Sequence, residues 1–221
     1  LTSLARLIDH TLLRPEATPV QVEQLCAEAR EHGFATVCIN SGYVPLCRKL
    51  LADSAVGVCT VVGFPLGAGL REAKAAEAAA AVRLGADEID MVMNIGWLKA
   101  GADEMVVSDI SRVVQAVPGR PVKVIIETCL LTDDEKARAT RLVIDAGGRF
   151  VKTSTGFSTG GATAEDVALL ARSAAGRIGV KASGGIRDLA AARAMVAAGA
   201  SRLGTSSGVK IVRQANQSKE D

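Results

Sequence analysis

Eight short runs rich in apolar and β-branched residues recur along this chain at nearly even steps. That recurrence limits the available folds more than any other feature. The runs cover residues 7–11, 35–39, 56–62, 88–93, 122–127, 150–153, 178–182 and 202–204. Their mean step is about 28 residues, close to what a strand plus a crossover helix requires. Most runs are apolar without strict alternation, the pattern of parallel strands covered by helices. Eight such units in 221 residues predict an α/β fold, a (β/α)8 TIM barrel forming one domain over residues 1–221. A five-stranded doubly wound sheet would use far less chain at this step. It would also carry Gly-x-Gly-x-x-Gly after its first strand, and Gly67-Ala68-Gly69 is only a fragment of that loop. No Walker A motif is present.

The segments between the runs carry helix signals. Thr18-Pro19-Val20-Gln21 reads as an N-cap, a proline at the first helical position and a capping-box partner. Val22, Leu25, Cys26 and Ala29 then share one face. Thr132 with Glu135 forms a second capping box, and Thr163 with Asp166 a weaker third. Gly33, Gly85, Gly147 and Gly199 stand where a helix ends before the next run.

Composition removes several classes of function. Hydrophobic residues make up 48% and charged residues 23%, which excludes a disordered chain. A net charge of +2 and an aromatic content of 3% offer neither a basic surface nor stacking platforms, so no nucleic-acid partner is expected. No apolar run approaches the roughly 20 residues of a membrane helix, so no membrane partner is expected either. The five cysteines are odd in number and form no Cys-x-x-Cys pair. Reduced thiols in a cytoplasmic protein follow. No signal-peptide pattern is present, and the missing initial Met suggests a trimmed start.

In a parallel barrel the chemistry gathers at the carboxyl ends of the strands. Lys152 lies late in Phe150-Val151-Lys152-Thr153-Ser154-Thr155-Gly156. It is either a surface lysine on an irregular strand end or an amine nucleophile in a partly dry pocket. Lys181 holds the corresponding place one run later. An ordinary lysine is only about 0.04% neutral at pH 7, and a second cation nearby favours the neutral, nucleophilic form. Asp90, inside Glu88-Ile89-Asp90-Met91-Val92-Met93, is a structural acid or a proton carrier, and Asp9 poses the same question. Gly184-Gly185 and Gly204-Thr205-Ser206-Ser207-Gly208 end the last two runs, where barrels of this kind often hold phosphate.

The remaining candidates are weaker. His10 and His32 are the only histidines and lack a second ligand at metal spacing, so no metal is expected. Cys38 reads as inert core. Glu127 could line a site or hold a loop. Lys123 and Lys210 share the 29-residue spacing of Lys152 and Lys181. They are set aside, one as a strand start and the other as lying beyond the last strand.

The segments LIDHTLL, VVGFPLG, EIDMV, KVIIET, FVKTSTGF, VKASGGIR and SRLGTSSG, in this order between residues 7 and 208, resemble the deoxyribose-phosphate aldolases. The resemblance implies a class I aldolase that reversibly splits 2-deoxy-D-ribose 5-phosphate into acetaldehyde and D-glyceraldehyde 3-phosphate. It needs no cofactor and leaves a homo-oligomer open. Carried over residue by residue, it implies that Lys152 is the Schiff-base lysine, Lys181 the second lysine and Asp90 the acid working with it. Gly156, Gly184, Gly185, Gly204, Ser206 and Ser207 match the phosphate positions. Asp9, Thr11, Cys38 and Thr155 match pocket-lining positions. Two departures stand out. Some members end in a tyrosine that reaches the site, whereas residues 209–221 hold none and Tyr43 is the chain's one tyrosine. Position 157 is Phe where some members carry a phosphate-binding lysine. Another lysine-imine barrel enzyme and a non-enzymatic barrel that keeps only its phosphate loop are the alternative readings. The lysine pair argues against the second.

Overall fold

The computed structural model describes residues 4–218. Eight parallel strands close into a barrel in chain order. They are β1 (Ile8–Leu12), β2 (Thr36–Ile39), β3 (Gly57–Val62), β4 (Glu88–Val92), β5 (Val122–Ile125), β6 (Phe150–Lys152), β7 (Gly179–Ser183) and β8 (Arg202–Thr205). Pairing of Asp9 with Gly204 joins the last strand to the first and removes both sheet edges. Every expected run forms a strand, with ends shifted by at most a residue or two. The largest shift is at β5, which stops at Ile125 rather than at residue 127. Glu127 adopts φ 54°, and a left-handed residue cannot continue a strand.

The outer layer comprises α1 (Pro19–His32), α2 (Val44–Leu50), α3 (Arg71–Arg83), α4 (Ile95–Lys99), α5 (Asp103–Ala116), α6 (Asp133–Asp145), α7 (Ala164–Ala174), α8 (Leu189–Ala197) and α9 (Gly208–Gln217). The local signals act as expected. Thr18 and Thr132 close full capping boxes, and Thr163 accepts from Asp166 N–H. Gly33 ends α1 at φ 64°, where a side chain would be strained. The buried face of α1 is Val22, Leu25, Cys26 and Ala29.

Side chains alternate across each strand, so every strand has one face toward the helices and one toward the barrel axis. Ile8, Val37, Ile89, Met91, Val151, Val180, Ala182 and Leu203 join the apolar layer beneath the helices. Their neighbours along the strands point the other way, and several of those are charged. The barrel therefore has an apolar shell and an ionic interior.

Helix α3 is alanine-rich and packs closely on α5, and between them lies a buried charge. Lys74 Nζ donates to Asp109 Oδ2 at 2.6 Å and to Val92 O, at the end of β4, at 3.0 Å. Removing one partner of a buried pair strands the other charge, whereas replacing both with apolar groups is often tolerated. Lys74→Met should cost roughly 3–5 kcal/mol in urea unfolding, and Lys74→Met with Asp109→Leu should recover most of that loss. Equal stability of the single and double variants would contradict this account of the α3–α5 contact.

Candidate active site

The axial face of the barrel is built around Asp90. One of its oxygens, Oδ2, accepts Lys152 Nζ and Lys181 Nζ, each at 2.7 Å. The other, Oδ1, accepts Lys123 Nζ at 2.8 Å and the Cys59 thiol at 3.2 Å. Lys152 and Lys181 are register partners on β6 and β7, so their side chains leave neighbouring strands at the same height. A second carboxylate, Asp9, forms an ion pair with Lys181 Nζ through Oδ2. Its Oδ1 accepts Arg202 at 2.7 Å and the Thr36 hydroxyl at 2.8 Å. Glu88 completes the lower part, bound to Lys123 at 2.5 Å and to Arg202 at 3.0 Å.

Burial alone would push these groups toward neutrality. For Asp90 that pressure is outweighed by Lys123, Lys152 and Lys181, which hold its carboxyl well below the usual range. Asp9 is likewise depressed, because Lys181, Lys123 and Arg202 overcome its burial. Burial disfavours charge on Lys181, but Asp9 and Asp90 outweigh it and raise its pKa. Lys123 is raised in the same way, chiefly by Asp90. The interior thus sets the cations Lys123, Lys152, Lys181 and Arg202 against the carboxylates Asp9, Glu88 and Asp90. One positive charge is in excess, and loss of a proton from one lysine leaves the cluster balanced.

Lys152 is the lysine of this cluster that reaches open space. It lines a cavity of about 430 Å³ at the carboxyl ends of the strands, together with Thr11, Thr155, Gly156, Gly184, Gly185, Gly204 and Ser206. Ser207 borders an adjoining cavity beside α9. Asp9, Asp90, Lys181 and Cys38 are fully buried and lie outside the cavity lining. Cys38 packs with Leu13, Cys59 and Val61. The Thr11 and Thr155 hydroxyls are engaged inside the protein, on Asp9 O and on Glu127. Gly204 serves the cluster directly, since a Cβ there would meet Lys181 Cε at 3.1 Å and Ser183 Cβ at 3.0 Å. Phe157 stacks edge-on against Phe64, with ring centroids 5.2 Å apart, and gives the cavity mouth an apolar wall. Tyr43 lies elsewhere, donating to Ala17 O. Residues 219–221 of the tail fall outside the described residues.

Three members of the cluster were not singled out in the sequence. Lys123 was set aside as a strand start, yet it is fully buried and bridges Glu88 and Asp90. Its signal was a lysine between two valines in a run otherwise apolar. Glu88 and Arg202 are the first residues of their strands. Glu127, left undecided, holds a loop: its carboxylate accepts from Thr155. Cys38, Cys59 and Asp90 bring donor atoms within 4.8 Å of one another, as do Asp9, Cys59 and Glu88. In both groups the Lys123 ammonium already sits where a metal cation would bind, 3.4 Å from Cys59 Sγ and bonded to the carboxylates.

Comparison with known proteins shows the family. The DeoC/LacD family aldolase profile matches residues 4–217. A deoxyribose-phosphate aldolase of Geobacillus sp. (strain WCH70) is 56% identical over 211 residues, covering 95% of each chain. Among solved structures, an aldolase called QR15 superposes with a TM-score of 0.95 at 40% identity, covering 100% of this chain and 99% of the other. The tetrameric deoxyribose phosphate aldolase of Aeropyrum pernix superposes with a TM-score of 0.89 at 37% identity, covering 96% and 91%. With the closed barrel and these matches in agreement, the chain belongs to the DeoC/LacD aldolase family.

Proposed function

We propose that this protein is a class I aldolase that reversibly cleaves 2-deoxy-D-ribose 5-phosphate to acetaldehyde and D-glyceraldehyde 3-phosphate, with Lys152 as the Schiff-base lysine. The observation that carries the reading is that Lys152 alone of the clustered lysines lines the cavity while its ammonium shares Asp90 Oδ2 with Lys181. Once Lys152 has given up a proton, its lone pair is free to attack. The amine adds to the sugar aldehyde and gives a carbinolamine, which loses water to form a protonated imine. That cation takes the place of the ammonium beside Asp90 and restores the original charge of the cluster. The imine then draws electrons from the C2–C3 bond as the C3 hydroxyl loses its proton. D-glyceraldehyde 3-phosphate departs and an enamine remains. Protonation at its carbon and hydrolysis release acetaldehyde and regenerate the amine. Asp90 and Lys181, acting through water, carry the protons.

The substrate phosphate belongs at the loops after β7 and β8. Gly184 and Gly185 both take positive φ, and Ser206 and Ser207 precede the N-terminus of α9. Small residues let backbone N–H groups approach the oxygens, and the helix end favours the anion. Among the described residues no helix is long and apolar enough to cross a membrane. The free cysteines support a cytoplasmic setting. The tetrameric Aeropyrum pernix relative supports assembly of this chain with copies of itself.

Borohydride reduction with acetaldehyde should leave an ethyl group on Lys152, located by peptide mass mapping. The same label on a folded Lys152→Ala protein would sink the assignment. Ser207→Glu places a carboxylate beside the phosphate. It should raise KM for the phosphorylated sugar about tenfold or more, while use of unphosphorylated deoxyribose changes much less. Equal losses on both substrates would remove the phosphate role. Acid should also weaken the fold through this cluster. Asp9 and Asp90 have folded pKa values below their unfolded ones. Their stabilisation is therefore complete above the unfolded value of about 3.9 and is lost as pH falls through and below it. Unfolding free energy should fall steeply below roughly pH 4, and less steeply in Asp9→Asn.

A further inference from the structure

Strand β5 ends at Ile125, yet the chain stays bonded to the β6 segment beyond it. Ile126 N–H donates to Lys152 O at 3.0 Å and Thr128 N–H to Thr153 O at 2.9 Å. Between these two bonds Glu127 takes φ 54° and ψ 69°. A side chain is disfavoured there because its Cβ crowds the following carbonyl oxygen. Among the described non-glycine residues only Ala175 also has positive φ, and it does so as the C-cap of α7. Strain of this kind persists where the surroundings enforce it, and it gathers at functional sites.

The enforcing contacts are specific. Glu127 is 3% exposed, and its two carboxylate oxygens accept Thr155 N–H at 3.2 and 3.3 Å. One of them also accepts the Thr155 hydroxyl at 2.5 Å. Thr155 Oγ1 in turn accepts Phe157 N–H at 3.0 Å. Gly156 is held between these anchors at φ 84°, lining the cavity with Lys152 and Thr155. The other flank of the loop is tied by the Ser183 hydroxyl, which donates to Ser154 O at 2.6 Å. A carboxylate suits this place because it only accepts hydrogen bonds, and Thr155 presents two donors.

We infer that Glu127 is a positioning residue: its left-handed backbone sets a buried carboxylate against Thr155, and that carboxylate fixes the loop 153–157 so that Thr155 and Gly156 close on substrate held at Lys152. The inference rests on the aldolase activity proposed above. Glu127 touches no reacting atom, and its effect reaches the substrate through the loop.

Three variants separate positioning from plain stability. Glu127→Ala removes the carboxylate and keeps the backbone strain. Glu127→Gly removes the carboxylate and relieves the strain. Glu127→Gln keeps one acceptor oxygen. Glu127→Gly should resist urea better than Glu127→Ala, yet both should raise KM for 2-deoxyribose 5-phosphate by roughly ten- to a hundredfold. The fall in kcat should be smaller, and Glu127→Gln should lie between these variants and wild type. Ethylation of Lys152 by acetaldehyde and borohydride should survive in all three, because the small aldehyde does not need the loop. If Glu127→Ala does not fold, the Gly and Gln variants carry the comparison. A Glu127→Gly protein with wild-type KM would overturn the inference, because the carboxylate would then be dispensable. Wild-type protein that takes up no label at Lys152 would instead overturn the aldolase reading itself.

Discussion

A single buried carboxylate, Asp90, governs the interior of this barrel. It accepts from three lysines and a thiol, each on a different strand. Taking charges out of water costs several kcal/mol per ion unless close partners compensate. Asp90 provides that compensation for Lys123, Lys152 and Lys181, and they provide it for Asp90. The arrangement is mutual, so its members are not independent. Asp9 extends it by holding Lys181 from the other side and by tying Arg202 to the same group of charges.

The barrel is well suited to such an interior because the strand period separates two environments. Residues facing outward form a continuous apolar layer under the helices, which supplies the hydrophobic stability of the fold. The axial face is thereby released from that task and can carry polar chemistry. Closure also excludes water from the middle of the barrel, where the same charges interact more strongly than at a surface. Space is the remaining constraint. Gly204 shows how it is met, since a Cβ there would crowd Ser183 Cβ at 3.0 Å and Lys181 Cε at 3.1 Å.

Above the cluster, the loops after β6, β7 and β8 line the cavity. Lys152 rises from the sealed cluster into the open end. Gly184 and Gly185 beyond β7, Gly204 in β8 and Ser206 after it line it as well, and α9 begins just after Ser207. Phe157, packed edge-on against Phe64, adds an apolar side chain to the lining. No ammonium stands at position 157 of this chain.

The sequence by itself determined the eight strands, their order of appearance, the capped helices and the residues that flank Lys152. Those features are local. Alternation, caps and spacing depend on residues a few positions apart, so they can be read along the chain. It also placed Lys152 and Lys181 at matching strand positions, and the register bears this out. The tertiary structure alone decided which charges meet. Asp90 and Lys181 stand 91 residues apart, and Lys123, Glu88 and Arg202 looked like ordinary strand-end residues until closure turned them toward one axis. The same holds for Glu127, whose carboxylate meets Thr155, 28 residues away. Electrostatic partnership depends on distance in space, and in a closed barrel that distance is set by strand register and inward facing, which no local stretch of sequence contains.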